Sequence, residues 1–422
     1  MLIPTNLLDG KKILLGVTGS IAAYKSLELL RFYIKAGAEV RVVMTPSAKK
    51  FIAPLSFEAL SRNRVLDDTN ESWADDFNHI KISQWADVIV IAPASANTIA
   101  KLANGLADTI LTQCALAFPG VKLIAPSANT HMIQNPMIQA SLKMLAIANY
   151  DVVSTQTKEL ACEIVGDGAM AEPLEIFWNT ARILLKNSFW SDRRVIVTGG
   201  GTIERLDDVR YISNFSSGKM ASSLAVALYV RGADVNLIST KFEPNLPSTL
   251  HTIEVESSAE MEEYLTDSIR IAKKSKLSKP SLIHDAPVGL IQKEPFLFMA
   301  AAVSDYVPTR FQSGKLKKEM LGDTWDIAMK KNRDIVAMCN KEGIKTIAFK
   351  AEMDPITAVQ NAQNLLESKG VNAVCLNIIN DNNTFGSDTN AIDFITENET
   401  VSFATADKLT LSLSIIDQAS AL

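Results

Sequence analysis

Residues 11–45 read KKILLGVTGSIAAYKSLELLRFYIKAGAEVRVVMT. A basic pair leads into an apolar, β-branched run. A glycine turn follows at Gly19, then a stretch of helical periodicity, a stop at Gly37 and a second β-branched run. Apolar spacing that switches from strand to helix and back, with glycine closing the helix, predicts a βαβ unit. Residues 193–240 repeat the plan, from RRVIVTGG to SGKMASSLAVALYVRGADVNLIST, with Gly232 as the stop. Right-handed crossovers of this kind build parallel sheets with helices on both faces and ligands at the carboxyl ends of the strands. The expected fold class is therefore α/β, with two Rossmann-like three-layer domains and mainly parallel sheets. In the second copy residues 202–217 separate the glycine turn from the helix; such a length is expected to line a site.

Working outward, further strands are predicted at Asp87–Ile91, Val121–Ala125 and Val152–Ser154, with a helix near 172–186. The second half supplies Phe296–Ala300, Thr346–Phe349, Ala373–Leu376 and Ala391–Ile395, and a final helix near 405–419. The polar joint Lys186–Asp192 sets the expected domains at 1–189 and 190–422, and the Lys-, Ser- and Pro-rich residues 273–295 read as a surface insertion. At about 150 residues per domain, a chain of 422 residues has room for both. Its net charge of −5 lacks the basic field that nucleic-acid binding relies on. The longest strongly apolar stretch, Phe296–Val303, is too short to span a membrane, and Met1–Gly10 lacks the features of a secretory leader. Cys114, Cys162, Cys339 and Cys375 lie far apart, against a disulfide framework or a zinc site. A cytoplasmic protein is expected.

The turn Gly19-Ser20 opens a helix directly after a strand, where unpaired N–H groups suit a phosphate. Ala94–Thr98, including Ser95, Ala96, Asn97 and Thr98, and the segment from Thr45 to Ser47 would face the same crevice. Neutral polar loops around a phosphate turn suit a mononucleotide such as FMN, and the second strand ends in Met44-Thr45 rather than in the acidic ribose anchor of NAD sites. A tight turn without a ligand fits Gly19-Ser20 equally well. His79, Asn129 and Cys162 each also have a structural reading, but Cys162 lies between glycines and polar residues in a stretch that reads as a flap. In the second half residues 310–333 carry seven basic side chains against three acidic ones. KLKK (315–318) follows AAVSDY at a strand end, where Asp305 suits a sugar hydroxyl or a metal, and SNFSSGKM (213–220) suits phosphates. These features together favour a nucleoside triphosphate site.

At these residues the chain resembles the bifunctional phosphopantothenoylcysteine decarboxylase/phosphopantothenate–cysteine ligase family of bacterial coenzyme A synthesis. GVTGSIAAYK (16–25), APASANTIAKLANGLAD (92–108), the PxxNxxM of 126–132 and ACxxxGxGxMAEP (161–173) are similar to the flavoprotein decarboxylase. TGGGTIERLDDVRYISNFSSGKMA (198–221), AAVSDYVP (301–308), KLKK and FGSDTNAI (385–392) are similar to the ligase. The resemblance implies an N-terminal domain of the flavoprotein decarboxylase type, with FMN as cofactor, and a ligase using CTP and Mg²⁺. It assigns His79, Asn129 as the carboxylate-holding amide and Cys162 as proton donor to the decarboxylase, and Asn214 to the acyl intermediate of the ligase. It places CTP contacts at Met299, Ala300, Ala301, Asp305, Lys315 and Phe349 and a further lysine at Lys369, with Asp305 as the metal residue. Ala128, Glu163, Ala169 and Leu365 depart from the family pattern.

The implied substrates are 4'-phosphopantothenate, cysteine and CTP. The resemblance further implies a homo-oligomer with trimeric decarboxylase and dimeric ligase contacts, hence a dodecamer. The ligase would join phosphopantothenate to cysteine through an acyl-cytidylate. The decarboxylase would convert the product to phosphopantetheine and CO₂. A decarboxylase with an inactive ligase half, or a regulatory flavoprotein, remain as alternatives at this stage.

Overall fold

The computed structural model describes the chain except residues 1–2, 160–162, 164, 279, 281–288, 318–320, 380–383 and 385. Two compact units emerge, one built on residues 3–185 and the other on 186–276 and 290–422. The first contains a six-stranded sheet in the order Leu66–Asp67, Glu39–Met44, Lys12–Val17, Val88–Ala94, Lys122–Pro126, Tyr150–Val152. Every neighbouring pair is parallel. The order reverses between Lys12–Val17 and Val88–Ala94, which opens a crevice beyond their carboxyl ends. Helix Lys25–Lys35 buries Ser26, Leu29, Leu30 and Tyr33, one helical face, and its Tyr33 hydroxyl pairs with Thr180 of helix Pro173–Leu185 at 2.7 Å. Burial pushes that phenol far above its ordinary value, so it stays neutral and serves as a packing and hydrogen-bonding group.

The second unit carries an eight-stranded sheet in the order His251–Glu254, Asp234–Ser239, Arg194–Gly199, Phe296–Met299, Lys345–Glu352, Ala373–Ile378, Thr389–Ile395, Thr400–Asp407. The first six strands run parallel and the last two pair antiparallel. Helix Lys219–Val230 is buried from Ala221 to Val230, which explains an apolar run with no polar face. Trp190 is fully buried against Phe189, Phe296 and Phe298. Truncating such a ring costs about 3–5 kcal/mol.

The α/β class and the duplicated crossover are as expected from the sequence. Several elements differ in detail. The region after Val152–Ser154 holds an antiparallel hairpin, Gln156–Glu159 with Val165–Ala169. The 202–217 segment contains the short pair Ile203–Arg205 and Tyr211–Ser213. The last helix starts at Lys408, not near 405, because Asp407 ends a strand and caps the helix, its carboxylate accepting the Leu409 and Thr410 N–H groups at 3.0 Å.

Candidate functional site

A cavity of about 770 Å³ opens at the carboxyl edge of the first sheet. Two strand ends are stitched there by one hydroxyl. Thr18 Oγ1 donates to the Pro93 carbonyl at 2.7 Å and accepts the Ser95 N–H at 3.0 Å. Gly19, Ser20, Thr45, Ser95, Ala96, Asn97, Thr98 and Asn129 all line this cavity. Gly19 is required by space: a Cβ there would lie 2.5 Å from Ser47 Cβ. Ser20 caps the short turn Ile21–Tyr24, which runs straight into helix Lys25–Lys35, and its Oγ lies 3.0 Å from Ser127 Oγ. Ser95 caps helix Ala96–Ala103, with Ser95 Oγ 3.0 Å from Thr98 Oγ1. Asn129 caps helix Thr130–Gln134, its Oδ1 accepting the His131 N–H at 3.0 Å.

The wall also contains residues that the sequence reading missed: Lys25, Lys101, Ser127, Met132, Lys158, Glu159 and Met170. Lys101 is paired with Asp108 at 2.6 Å. Lys25 donates to Glu172 Oε1 at 3.0 Å and to the Met170 carbonyl at 3.3 Å, and Lys158 pairs with the same Glu172 oxygen. Burial raises the Glu172 pKa, but the hydrogen bonds from Lys158 and Lys25 outweigh it and hold the carboxyl below its usual range. Sequence spacing gives no signal for this cluster, since its members come from three separate elements. Lys25, Lys101, Ser127, Met132 and Met170 lie inside the quoted motifs, which carried no role for them.

His79 is not part of this lining. It starts helix His79–Trp85, its Nδ1 lies 2.7 Å from Glu71 Oε1, and its ring meets Trp73 edge-on. Cys162 lies outside the described residues, between the two strands of the hairpin. Gly168 of that hairpin accepts the Ala128 N–H at 3.1 Å through its carbonyl, so the hairpin docks on the loop that presents Asn129. Ala128 thus contributes backbone here.

In the second unit a cavity of about 220 Å³ is lined by Ser216–Ala221, Ala300–Ala302, Phe349–Ala351, Asn377 and Lys408, among others. Ala300, Ala301 and Phe349 are therefore brought together. Met299 is buried in its strand, Asp305 and Lys315 are exposed outside this lining, and Lys369 is paired with Asp334 at 2.5 Å. Asn214 lines an adjoining groove, its Nδ2 donating to the Val303 carbonyl at 3.1 Å and to that of Ala302 at 3.3 Å. Two cations unassigned from the sequence stand at the cavity. Lys219 binds Asp388 at 2.6 Å and the Gly386 carbonyl at 2.9 Å, while Lys408 donates to the Ser387 carbonyl. Leu365 packs against an apolar cluster that includes Ala358, Ala362 and Val374. Among the described residues no group of three or more His, Cys, Asp or Glu side chains is assembled to hold a metal. Nor is any helix among them long and apolar enough to cross a membrane.

Residues 2–184 match the Flavoprotein family, and residues 190–274 and 282–422 match the DNA/pantothenate metabolism flavoprotein C-terminal domain. A coenzyme A biosynthesis bifunctional protein CoaBC of Vibrio parahaemolyticus is 34% identical over 97% of this chain and 98% of its own. The chain belongs to the CoaBC family. The family's Bacillus subtilis member is 33% identical over 99% of this chain and 98% of its own. Among solved structures, the C-terminal domain of a coenzyme A biosynthesis bifunctional protein CoaBC covers 56% of this chain and 97% of its own, at 23% identity and a TM-score of 0.42. The FMN binding protein AtHal3 covers 40% of this chain and 94% of its own, at 36% identity and a TM-score of 0.36.

Proposed function

We propose that this CoaBC-family chain is a bifunctional, cytoplasmic enzyme, with an FMN-dependent phosphopantothenoylcysteine decarboxylase in residues 1–189 and a CTP-dependent phosphopantothenate–cysteine ligase in 190–422. The observation that carries the reading is the 770 Å³ cavity, with a glycine cradle and neutral hydroxyls at one end and Asn129 in its wall. FMN fits these residues. Gly19 and Ser20 would hold its phosphate, with Thr45, Ser95, Ala96, Asn97 and Thr98 along its length. When bound, FMN supplies reversible two-electron redox chemistry at the substrate's thiol-bearing carbon.

The chain's own groups then have defined tasks. Because its Oδ1 is engaged by the His131 N–H, the Asn129 amide is oriented to offer Nδ2–H to the substrate carboxylate. A neutral donor orients that carboxylate without stabilising its charge as strongly as arginine would, which suits a group that must leave as CO₂. Cys162 is the proposed acid that protonates the product carbon. His79, fixed by Glu71, is proposed to assist from outside the cavity lining described above.

In the ligase, phosphopantothenate attacks the α-phosphate of CTP, pyrophosphate leaves, and the cysteine amine displaces CMP from the acyl-cytidylate. Ala300, Ala301 and Phe349 form the walls proposed for the nucleotide, with Met299 behind them. Lys315 and Lys369 are the proposed additional cations and Asn214 the amide that meets the acyl group. Asp305 stands apart from any acidic cluster among the described residues, a poor fit to Mg²⁺ held by the protein alone. A homo-oligomer completes the proposal.

The test uses purified full-length protein with phosphopantothenate, cysteine, CTP and Mg²⁺, following pyrophosphate and CO₂ separately. Both should appear. Cys162→Ser should leave pyrophosphate release intact and stall formation of the final product. Normal product at the normal rate from that variant would remove Cys162 from the mechanism.

A further inference from the structure

Two ammonium groups, from Lys25 and Lys158, share one oxygen of Glu172 at the wall of the 770 Å³ cavity. One carboxylate balances one of them. Lys25 is the anchored member: its side chain is 14% exposed and it also donates to the Met170 carbonyl. Lys158 is the more exposed one, 48% exposed on the hairpin strand Gln156–Glu159, with Glu172 as its charge partner. Glu159 also lines the cavity, and the ion pair that Lys158 forms is with Glu172. The third lysine of the wall, Lys101, is already neutralised by Asp108. Lys158 thus shares a carboxylate that Lys25 already engages, at a wall where Glu159 is the acidic residue among hydroxyls, amides and apolar groups.

We propose that Lys158 is a ligand-binding residue that turns from Glu172 to a phosphate monoester in the cavity, while Lys25 stays and keeps Glu172 in place. This rests on the decarboxylase reading of the same cavity. A lysine supplies a point charge with three rotatable donors, which suits a phosphate, and the exposed side chain can swing without disturbing the core. Under that reading two phosphate monoesters enter, that of the flavin and that of the substrate, and the experiment separates them.

Full-length Lys158→Met and Lys158→Arg are compared with the unaltered chain in two arms. The first arm measures KM and kcat for phosphopantothenoylcysteine and for its dephosphorylated form. The second measures affinity for FMN and for riboflavin by quenching of flavin fluorescence. Losing one charge-assisted contact predicts a loss of about 10- to 100-fold in one arm, confined to the phosphorylated ligand and largely restored by arginine. A loss confined to substrate KM assigns the substrate phosphate; one confined to FMN assigns the flavin phosphate. Equal losses for phosphorylated and dephosphorylated ligands, or none in either arm, overturn the proposal and leave Lys158 as a structural tie of the hairpin. An unaltered chain that binds flavin but releases no CO₂ refutes the decarboxylase reading, and the flavin arm still decides the role of Lys158 at that phosphate.

Discussion

Gly168→Ala is the sharpest test of the docked hairpin. Gly168 has φ +140, and a Cβ built on it would lie 2.2 Å from the Ala128 carbonyl oxygen, with Ala128 C and Asn129 C at 3.3 Å. An alanine must therefore adopt a conformation rare for L-residues and displace backbone. Strain at such a residue is about 1–3 kcal/mol and overpacking about as much, so the docked state loses about 2–6 kcal/mol. That exceeds the net worth of about 1 kcal/mol for the Ala128 N–H···O=C Gly168 bond holding this point. Relief comes by lifting the hairpin, a local opening that spares the core. Decarboxylase kcat/KM should fall about 5-fold or more, with little change in Tm and normal CTP-dependent pyrophosphate release. Gly166→Ala is the control, because its Cβ would meet Thr130 Oγ1 at 2.2 Å, a side-chain hydroxyl able to rotate, and the loss should be smaller. Unchanged decarboxylation in Gly168→Ala, or a Tm loss that accounts for all of the effect, would refute the reasoning.

Ser20→Asp places a carboxylate where the buried Ser20 Oγ meets Ser127, at the proposed phosphate cradle. FMN affinity should drop about 100-fold or more, read as colourless purified protein that added flavin does not restore. Lys122 is buried between the Phe118 and Tyr150 rings, with Nζ 5.5 and 5.0 Å from their centroids, and burial lowers its pKa. The native state therefore releases this proton before the unfolded chain does, and Lys122 adds stability as pH rises from its folded value toward about 10.4. Urea unfolding at pH 7 and pH 10 should show the unaltered chain gaining relative to Lys122→Met over that interval, and an equal change in both would contradict this.

The duplicated crossover was legible because its signals are local: β-branched runs, a helical apolar face and glycines at both turns. The loops facing the first crevice followed from strand order, which is why Gly19, Ser20, Thr45, Ser95 and Thr98 meet. The rest depends on contacts between distant residues. Lys158 and Glu172 find each other only once the hairpin folds, and the hairpin itself has few β-branched residues to announce it. Asp334 takes Lys369, and Glu71 takes His79; neither pairing is encoded in spacing. Asp407 reads as helical by its neighbours, yet its side chain is worth more as a cap than inside the helix.

The two halves solve one geometric problem in the same way. In the first, the Thr18 hydroxyl accepts the Ser95 N–H; in the second, the Thr202 hydroxyl accepts the Ser304 N–H at 3.1 Å. Each bond spans the point where strand order reverses, tying the end of the first strand to the loop after its neighbour across the crevice. A fixed crevice is thereby available to either half, and its lining decides what it holds. Around Asn129 stand hydroxyls and an amide, with the nearby ammonium groups committed to Glu172 and Asp108. If Asn129 holds the substrate carboxylate as proposed, that arrangement would avoid strengthening the hold on a group that must depart as neutral CO₂. Around Phe349 the cavity has Lys219, paired with Asp388 at 2.6 Å, and Lys408, which has Asp388 and Glu243 for acidic neighbours. If the cavity holds the triphosphate as proposed, two lysines at its wall would help, because phosphate charge grows as pyrophosphate leaves. The same stitch at the same place in both sheets leaves the side chains around each crevice to decide what it holds.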